Sequence, residues 1–470
     1  MRETQKQRLI DHYRQVLKIN PNSYSLYDKI AHLYDEMGEF ELALQVCKMA
    51  LRQNLEWELS ILQSLLEKMG LIYQGSQMLQ YTLGVETVKK NFASESDQLN
   101  SMTPTKYKDT EILELFRQGK TVKAIHICFA LIENNPALTW PHSLLNSSLR
   151  LDQIEIPDLD NFICFYEQIL QHPSVSPDAY AVMGNVFTKQ GKITEAIAAF
   201  KTGMSQKVYF NKYDPHYYRD RPKVPRVDFL IIGIGKGGTS AVYRYLSEHP
   251  KILCPFQKEL HFFNSNFELG LEWYLAQFPP LPIGGSFQTG EATPWYLVSH
   301  GVADKVHQTF PKIKLIVLLR HPIDRAISQY YMLSRMGLEN RSLEVAITSE
   351  INYLSQLTDS DNLLTQYWQT ERGYLWFSLY IYFIQEWMAL FSSEQFLILR
   401  SEDLYHNTAQ TLRQVYDFLE IPDYPLNSYP KYNASSYPQI SDELYQKLAD
   451  FFRPHNRQLE DYLGRKFFWE

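Results

Sequence analysis

Five consecutive residues, Lys236-Gly237-Gly238-Thr239-Ser240, carry the chemistry of anion binding. The glycines let main-chain N–H groups come close to phosphate oxygens. The lysine brings a positive charge, and the two hydroxyls donate hydrogen bonds and suit a helix start. Further on, Lys258-Glu259-Leu260-His261-Phe262-Phe263 places a carboxylate and an imidazole two residues apart, both groups that serve as general bases. On pattern alone this stretch reads as a short strand or extended edge with Glu259 and His261 on one face. Plain surface ion pairing is the alternative. Arg320 and Ser328 complete the set. The arginine offers a bidentate fork to a phosphate. The serine lies two turns into the helix that follows, where an ordinary surface serine is equally at home.

These residues need elements to hold them. Phe229 to Ile232 is an apolar run of the length and branching of a buried strand. A glycine-dense turn follows, then a helical pattern through Val242, Tyr243 and Leu246 that stops before Pro250. Strand, turn and helix in that order aim backbone N–H groups and a helix N-terminus at an anion. Lys314 to Arg320 reads as a second buried strand, with Arg320 at the carboxyl end, where open α/β sheets bind ligands. Asp324 begins the next helix. Gly290 to Tyr296 precedes a helix through Val302 and Val306. A helical stretch from Tyr374 to Phe391 leads to a third strand, Gln395 to Arg400, then helices over Thr408–Leu419 and Ser441–Leu463. Strands alternating with helices imply an α/β domain built on a parallel sheet.

Three phosphate loops compete for the glycine turn. A Walker A loop needs GxxxxGK[ST], and Thr239 follows Gly238 where lysine is required. Gly233, Gly235 and Gly238 satisfy the dinucleotide pattern GxGxxG, with Glu259 at a suitable distance downstream. That pattern is weakly specific, and Glu259 does not read as the end of a second short strand. The third reading takes Lys236 to Ser240 as the whole device, cradling a 5′-phosphate.

With 470 residues the chain is long enough for two or three domains. Its 45% hydrophobic and 21% charged content is ordinary for a globular protein. The net charge of −7 argues against a general nucleic-acid binder and leaves room for a local basic site. Cys47, Cys128, Cys164 and Cys254 are widely separated, so neither a zinc site nor a disulfide framework is signalled. The expected compartment is a reducing cytoplasm. The polar N-terminus has no signal-peptide core, and no apolar run reaches a membrane-spanning length.

Residues 1–210 read as helical. Pro177 to Phe200 matches a tetratricopeptide unit, with Tyr180, Met183, Gly184, Phe187, Gly191, Ala196 and Phe200 at the signature spacing. Tyr27, Ala31, Tyr34, Gly38, Ala43 and Ala50 mark a second unit, and Gly119, Ala124 and Pro136 a worn third. Asn91 to Thr110 reads as a loop. Such repeats stack into a solenoid, either docking a protein partner or long acceptor or capping the next domain. The expected layout is therefore a tetratricopeptide-like α-helical solenoid over 1–210, a linker over 211–226, and a P-loop-like α/β domain with a central parallel sheet over 227–470.

Four features together resemble the sulfotransferases, above all those modifying heparan sulfate at N and 3-O positions: FLIIGIGKGGTSAVYRYLSEHP, KELHFFN followed by GLEWYLAQFP, LIVLLRHPIDRAISQYY and FFRPHNRQLEDYLGRKFFWE. The resemblance covers Val227 to Glu470. It implies 3′-phosphoadenosine 5′-phosphosulfate as donor and a hydroxyl or amine acceptor, expected to be a saccharide. On its terms Lys236, Gly237, Gly238, Thr239 and Ser240 hold the 5′-phosphosulfate, Arg320 and Ser328 hold the 3′-phosphate, Glu259 is the base, and His261 belongs to the same motif. No metal is required. Two departures stand out. Ala292 replaces a lysine common in the relatives. A Lys-Gly-Arg loop for the 3′-phosphate is replaced within Lys431 to Pro438, with Ser435 at the arginine position. They support a competing reading: a repeat scaffold with a catalytically degenerate domain. A nucleotide kinase-like enzyme is a third reading, disfavoured by the failed Walker pattern.

Overall fold

The computed structural model of the chain describes residues 108–117, 120–150, 159–210, 223–282, 287–356, 373–430 and 437–469, with scattered positions before residue 47. Its contacts divide it into two units, Met1–Ser176 and Pro177–Glu470.

Between residues 108 and 176 the described part of the first unit holds the helices α1 (Asp109–Arg117), α2 (Thr121–Asn134), α3 (Thr139–Arg150) and α4 (Leu159–Ile169). Helix α2 buries Ala124, Ile125, Cys128, Leu131 and Ile132, the three-and-four spacing of one helix face. Phe129 stacks on Phe165 at 3.8 Å, and His142 Nδ1 lies 3.0 Å from the Tyr166 hydroxyl. Most of the expected repeat from Tyr27 to Ala50, and of the loop from Asn91 to Thr110, lies outside the described residues.

The second unit opens on α5 (Asp178–Lys189) and α6 (Ile193–Phe210), the helices of the best repeat-like stretch. Gly184 permits their close approach: a Cβ there would lie 2.3 Å from the Phe200 ring. The hairpin also closes onto the α/β part. Phe200 meets Trp273 edge-on at 6.0 Å, and the Trp273 indole donates to the Thr188 hydroxyl at 2.8 Å. Ala181, Ala196, Phe200 and Met204 all join the unit's main core. The division in the contacts therefore falls at Ser176, ahead of this hairpin, whereas the repeat pattern places the boundary after residue 210. Most of the expected linker, 211–226, lies outside the described residues; its end, Lys223–Pro225, pairs antiparallel with Pro280–Pro282.

Four strands make the central sheet: β1 (Phe229–Gly233), β2 (Gly290–Ala292), β3 (Lys314–Leu319) and β4 (Phe396–Arg400). Their order is β2-β1-β3-β4, and every pairing is parallel. Alternate residues of β1 and β3 serve opposite faces. Leu230, Ile232, Leu315, Val317 and Leu319 enter one core, while Phe229, Ile231, Ile316 and Leu318 enter another. A sheet covered on both sides needs such unbroken apolar runs, which is why both strands stand out in the sequence. The helices that matter for the site are α7 (Thr239–Glu248), α8 (Pro322–Arg335), α9 (Tyr380–Met388), α10 (Ser401–His406), α11 (Thr408–Leu419) and α12 (Asp442–Leu463).

Three local expectations change. Lys258 to Phe263 is not a strand: Glu259 and His261 have left-handed φ angles of 65° and 52°, and a short helix begins at Phe262. The helical stretch from Tyr374 to Phe391 divides into a 3-10 turn, Trp376–Ser378, and α9. Gly290–Ala292, too short to register as a run, is a strand at the sheet edge. Among the described residues no helix is long and apolar enough to cross a membrane.

Candidate active site

A cavity of about 620 Å³ opens where the four strands end, lined by residues that follow each of them. Its position is the one open parallel sheets use for ligands, and its size is that of a small-molecule site.

The turn after β1 forms one wall. Lys236, Gly238, Thr239 and Ser240 line the cavity, and Thr239 starts α7. Gly238 adopts φ 95°, a conformation open to glycine at little cost. Gly237 lies beneath the turn, where a Cβ would stand 2.7 Å from the Leu318 carbonyl oxygen; its contribution is closeness to the sheet. The Gly237 carbonyl accepts the Ser401 hydroxyl at 2.5 Å, tying the turn to the start of α10. Lys236 itself has φ 72°, and its Nζ lies 3.5 Å from Met332 Sδ.

Arg320 and Ser328 line the same cavity. Arg320 donates to the Lys236 carbonyl at 3.2 Å, and its own carbonyl accepts the Tyr380 hydroxyl at 2.8 Å. Ser328 Oγ and the Tyr437 hydroxyl are 2.9 Å apart. The Tyr437 ring stacks on Tyr331 at 5.1 Å, with Arg335 above it at 5.9 Å. Burial lowers the Lys236 ammonium below the ordinary lysine value; Tyr437 opposes this, while Arg335, Arg320 and Arg325 add to it. Cations gathered in this way favour a polyanion.

Glu259 stands in the cavity wall with Lys258. Their side chains form an ion pair, and His261 Nε2 is 3.8 Å from the carboxylate. Burial by itself would raise the Glu259 carboxyl, but His261 and the Lys258 ammonium overrule it and hold it at about 2. His261 is off the wall; its Nδ1 lies 3.2 Å from the Asn264 amide nitrogen. Glu259 and His261 thus converge as expected, through a left-handed turn instead of a strand.

Sequence reasoning missed Lys258, Trp295, Phe377, Tyr405 and Tyr437, all of which line the cavity. Lys258 and Trp295 adjoin stretches already singled out. Tyr437 lies within the Lys431 to Pro438 stretch, where attention fell on Ser435, whereas Phe377 and Tyr405 arrive from distant segments and carry no local signal. Ala292 is fully buried in the sheet, and Lys431 and Ser435 lie outside the described residues. Among the described residues no group of three or more His, Cys, Asp or Glu side chains gathers to hold a metal ion.

Comparison with known proteins bears on the same segment. Residues 226–439 match the sulfotransferase domain family. The matched segment carries all the cavity residues named above.

Membrane-associated sulfotransferase kil1 of Dictyostelium discoideum is 24% identical over 312 residues, 52% of this chain and 66% of that protein. Heparan sulfate glucosamine 3-O-sulfotransferase 5 of Mus musculus is 28% identical over 228 residues, 47% of this chain and 60% of that protein. Bifunctional heparan sulfate N-deacetylase/N-sulfotransferase 4 of Mus musculus is 32% identical over 200 residues, 41% and 22% respectively. The chain thus spans less than two thirds of the length of these curated relatives. A solved sulfotransferase from Alicyclobacillus acidocaldarius superposes with a TM-score of 0.43 at 26% identity, over 52% of this chain and 99% of that one.

Proposed function

We propose that the sulfotransferase domain moves a sulfuryl group from 3′-phosphoadenosine 5′-phosphosulfate to a hydroxyl or amine of a saccharide. The observation that carries this reading is the sharing of one cavity by Lys236, Arg320 and Ser328 with Glu259. One part suits a doubly anionic nucleotide and the other suits proton removal. Names of relatives that act on heparan sulfate support the saccharide.

In this mechanism Glu259 takes the acceptor's proton as the acceptor oxygen or nitrogen bonds to sulfur. The bond from sulfur to the 5′-phosphate oxygen breaks in line. Lys236 and the N–H groups of the Gly237–Ser240 turn stabilise the negative charge on the departing bisphosphate. Arg320 and Ser328 hold its 3′-phosphate. Lys258 must leave Glu259 for the proton to be taken, because a carboxylate held at about 2 is a weak base. The helices of the first unit are assigned the docking of a partner or a long acceptor.

The deciding experiment is calorimetric titration of adenosine 3′,5′-bisphosphate into the wild type and Lys236→Ala. Micromolar binding, about −8 kcal/mol, weakened at least tenfold by the substitution is expected. The scaffold reading draws on Ala292, which offers no cation from its buried position in β2; it predicts no binding to the wild type.

A further inference from the structure

Glu291 is a fully buried carboxylate outside the cavity wall. Its two oxygens accept four hydrogen bonds. The Tyr274 hydroxyl reaches Oε1 at 3.1 Å and the Tyr296 hydroxyl at 2.7 Å. The Thr293 hydroxyl reaches Oε2 at 2.6 Å and the Leu260 N–H at 3.2 Å. All four partners are donors, so only a group that accepts at both oxygens fits here.

Two of these hydroxyls are relays. Thr293 Oγ1 also accepts the His261 N–H at 3.4 Å, and the Tyr296 hydroxyl accepts the Phe262 N–H at 2.9 Å. Three successive N–H groups, of residues 260, 261 and 262, are thus directed to a single carboxylate, one directly and two through a hydroxyl. Successive N–H groups in alternating left- and right-handed backbone form an anion-binding concavity. Here the chain supplies the anion itself. The Glu259 N–H adds a fourth link to the same strand by donating to the Ala292 carbonyl at 3.1 Å. Left-handed backbone is unfavourable at a non-glycine residue, and Glu259 and His261 both adopt it.

We propose that Glu291 is the positioning residue of the Glu259 turn: its carboxylate organises the three N–H groups and so sets where the Glu259 and His261 side chains stand. The inference rests on the proposed role of Glu259 for its meaning, and on the geometry of the turn for its truth. In Glu291→Gln the amide nitrogen meets a donor where an oxygen accepted one. The turn then loses the conformation that presses Lys258 and His261 against Glu259. These two are the side-chain partners of Glu259 on its own turn, while Lys236 and Arg320 line the same cavity.

The test is a titration of the Glu259 carboxyl, followed by carbon-13 NMR in the full chain and assigned by its loss in Glu259→Gln. In the wild type it is expected to titrate at about 2. In Glu291→Gln it should move up into the ordinary carboxylate range, ~4.3. Tyr296→Phe, which removes only the relay to Phe262, should move it part of the way and guards against a first variant that fails to fold. Bisphosphate affinity should stay within about twofold in every variant that folds. A Glu259 carboxyl still titrating at about 2 in folded Glu291→Gln or, where that variant does not fold, in Tyr296→Phe overturns the inference. Failure of the wild type to bind bisphosphate counts against the proposed function alone, because the carboxyl titration does not depend on it.

Discussion

Glu259 combines two demands that pull apart. A base works best when its pKa lies near the operating pH, yet Lys258 and His261 hold this carboxyl at about 2. The carboxyl is depressed in the folded protein. Its contribution to stability is therefore present above its unfolded value, ~4.3, and fades as pH falls through about 2. The expected pH–rate profile has no acid limb from Glu259 between pH ~4 and ~7. Lys258→Met should raise the carboxyl and bring such a limb into view, so an unchanged profile would show that Lys258 does not govern the base. Glu259→Gln should reduce transfer by about 10²–10⁴-fold while leaving bisphosphate affinity intact. Turnover close to wild type would remove Glu259 from the role. The turn from Lys236 to Ser240 was legible in the sequence because its five residues are contiguous. The conformation of Glu259 was not, because Glu291, Thr293 and Tyr296 impose it from about thirty residues further along the chain.

Among the elements, β1 and β3 were legible because both faces of each are covered and the apolar run is continuous. The three residues of β2 were not: a run that short carries no period of its own. The link between the Lys236–Ser240 turn and the sheet is tight where Gly237 crosses it. A Cβ there would meet the Leu318 carbonyl oxygen at 2.7 Å and that of Ile234 at 2.9 Å, both main-chain atoms. Gly237→Ala is therefore expected to shift the turn, weaken bisphosphate binding about tenfold or more and lower the melting temperature. Calorimetry and thermal unfolding together check this. Equal affinity and melting temperature would mean that the turn yields without strain.

At the scale of the molecule, the repeat-like hairpin α5–α6 shows where sequence pattern and packing part. Its residues follow the repeat spacing in the sequence, and Gly184 sits where the two helices touch. The pattern does not encode which surface the hairpin covers. Trp273, Glu272 and the main core decide that through tertiary contact. A fragment beginning at Pro177 should unfold cooperatively in urea, as a unit with its own core does. One beginning after residue 210 should lose solubility or melt at lower temperature, since Phe200 and Met204 are buried in that core. Equal stability of the two fragments would make the hairpin dispensable.

Trp295 lies in the cavity wall with Glu259 and meets Phe377 edge-on at 5.4 Å. An indole so placed is an optical reporter built into the proposed acceptor end. Its emission should change when a sugar or aromatic ring excludes water from it, and the difference against Trp295→Phe isolates that signal from the protein's other tryptophans. Candidate acceptors can then be ranked by fluorescence before any sulfated product is known.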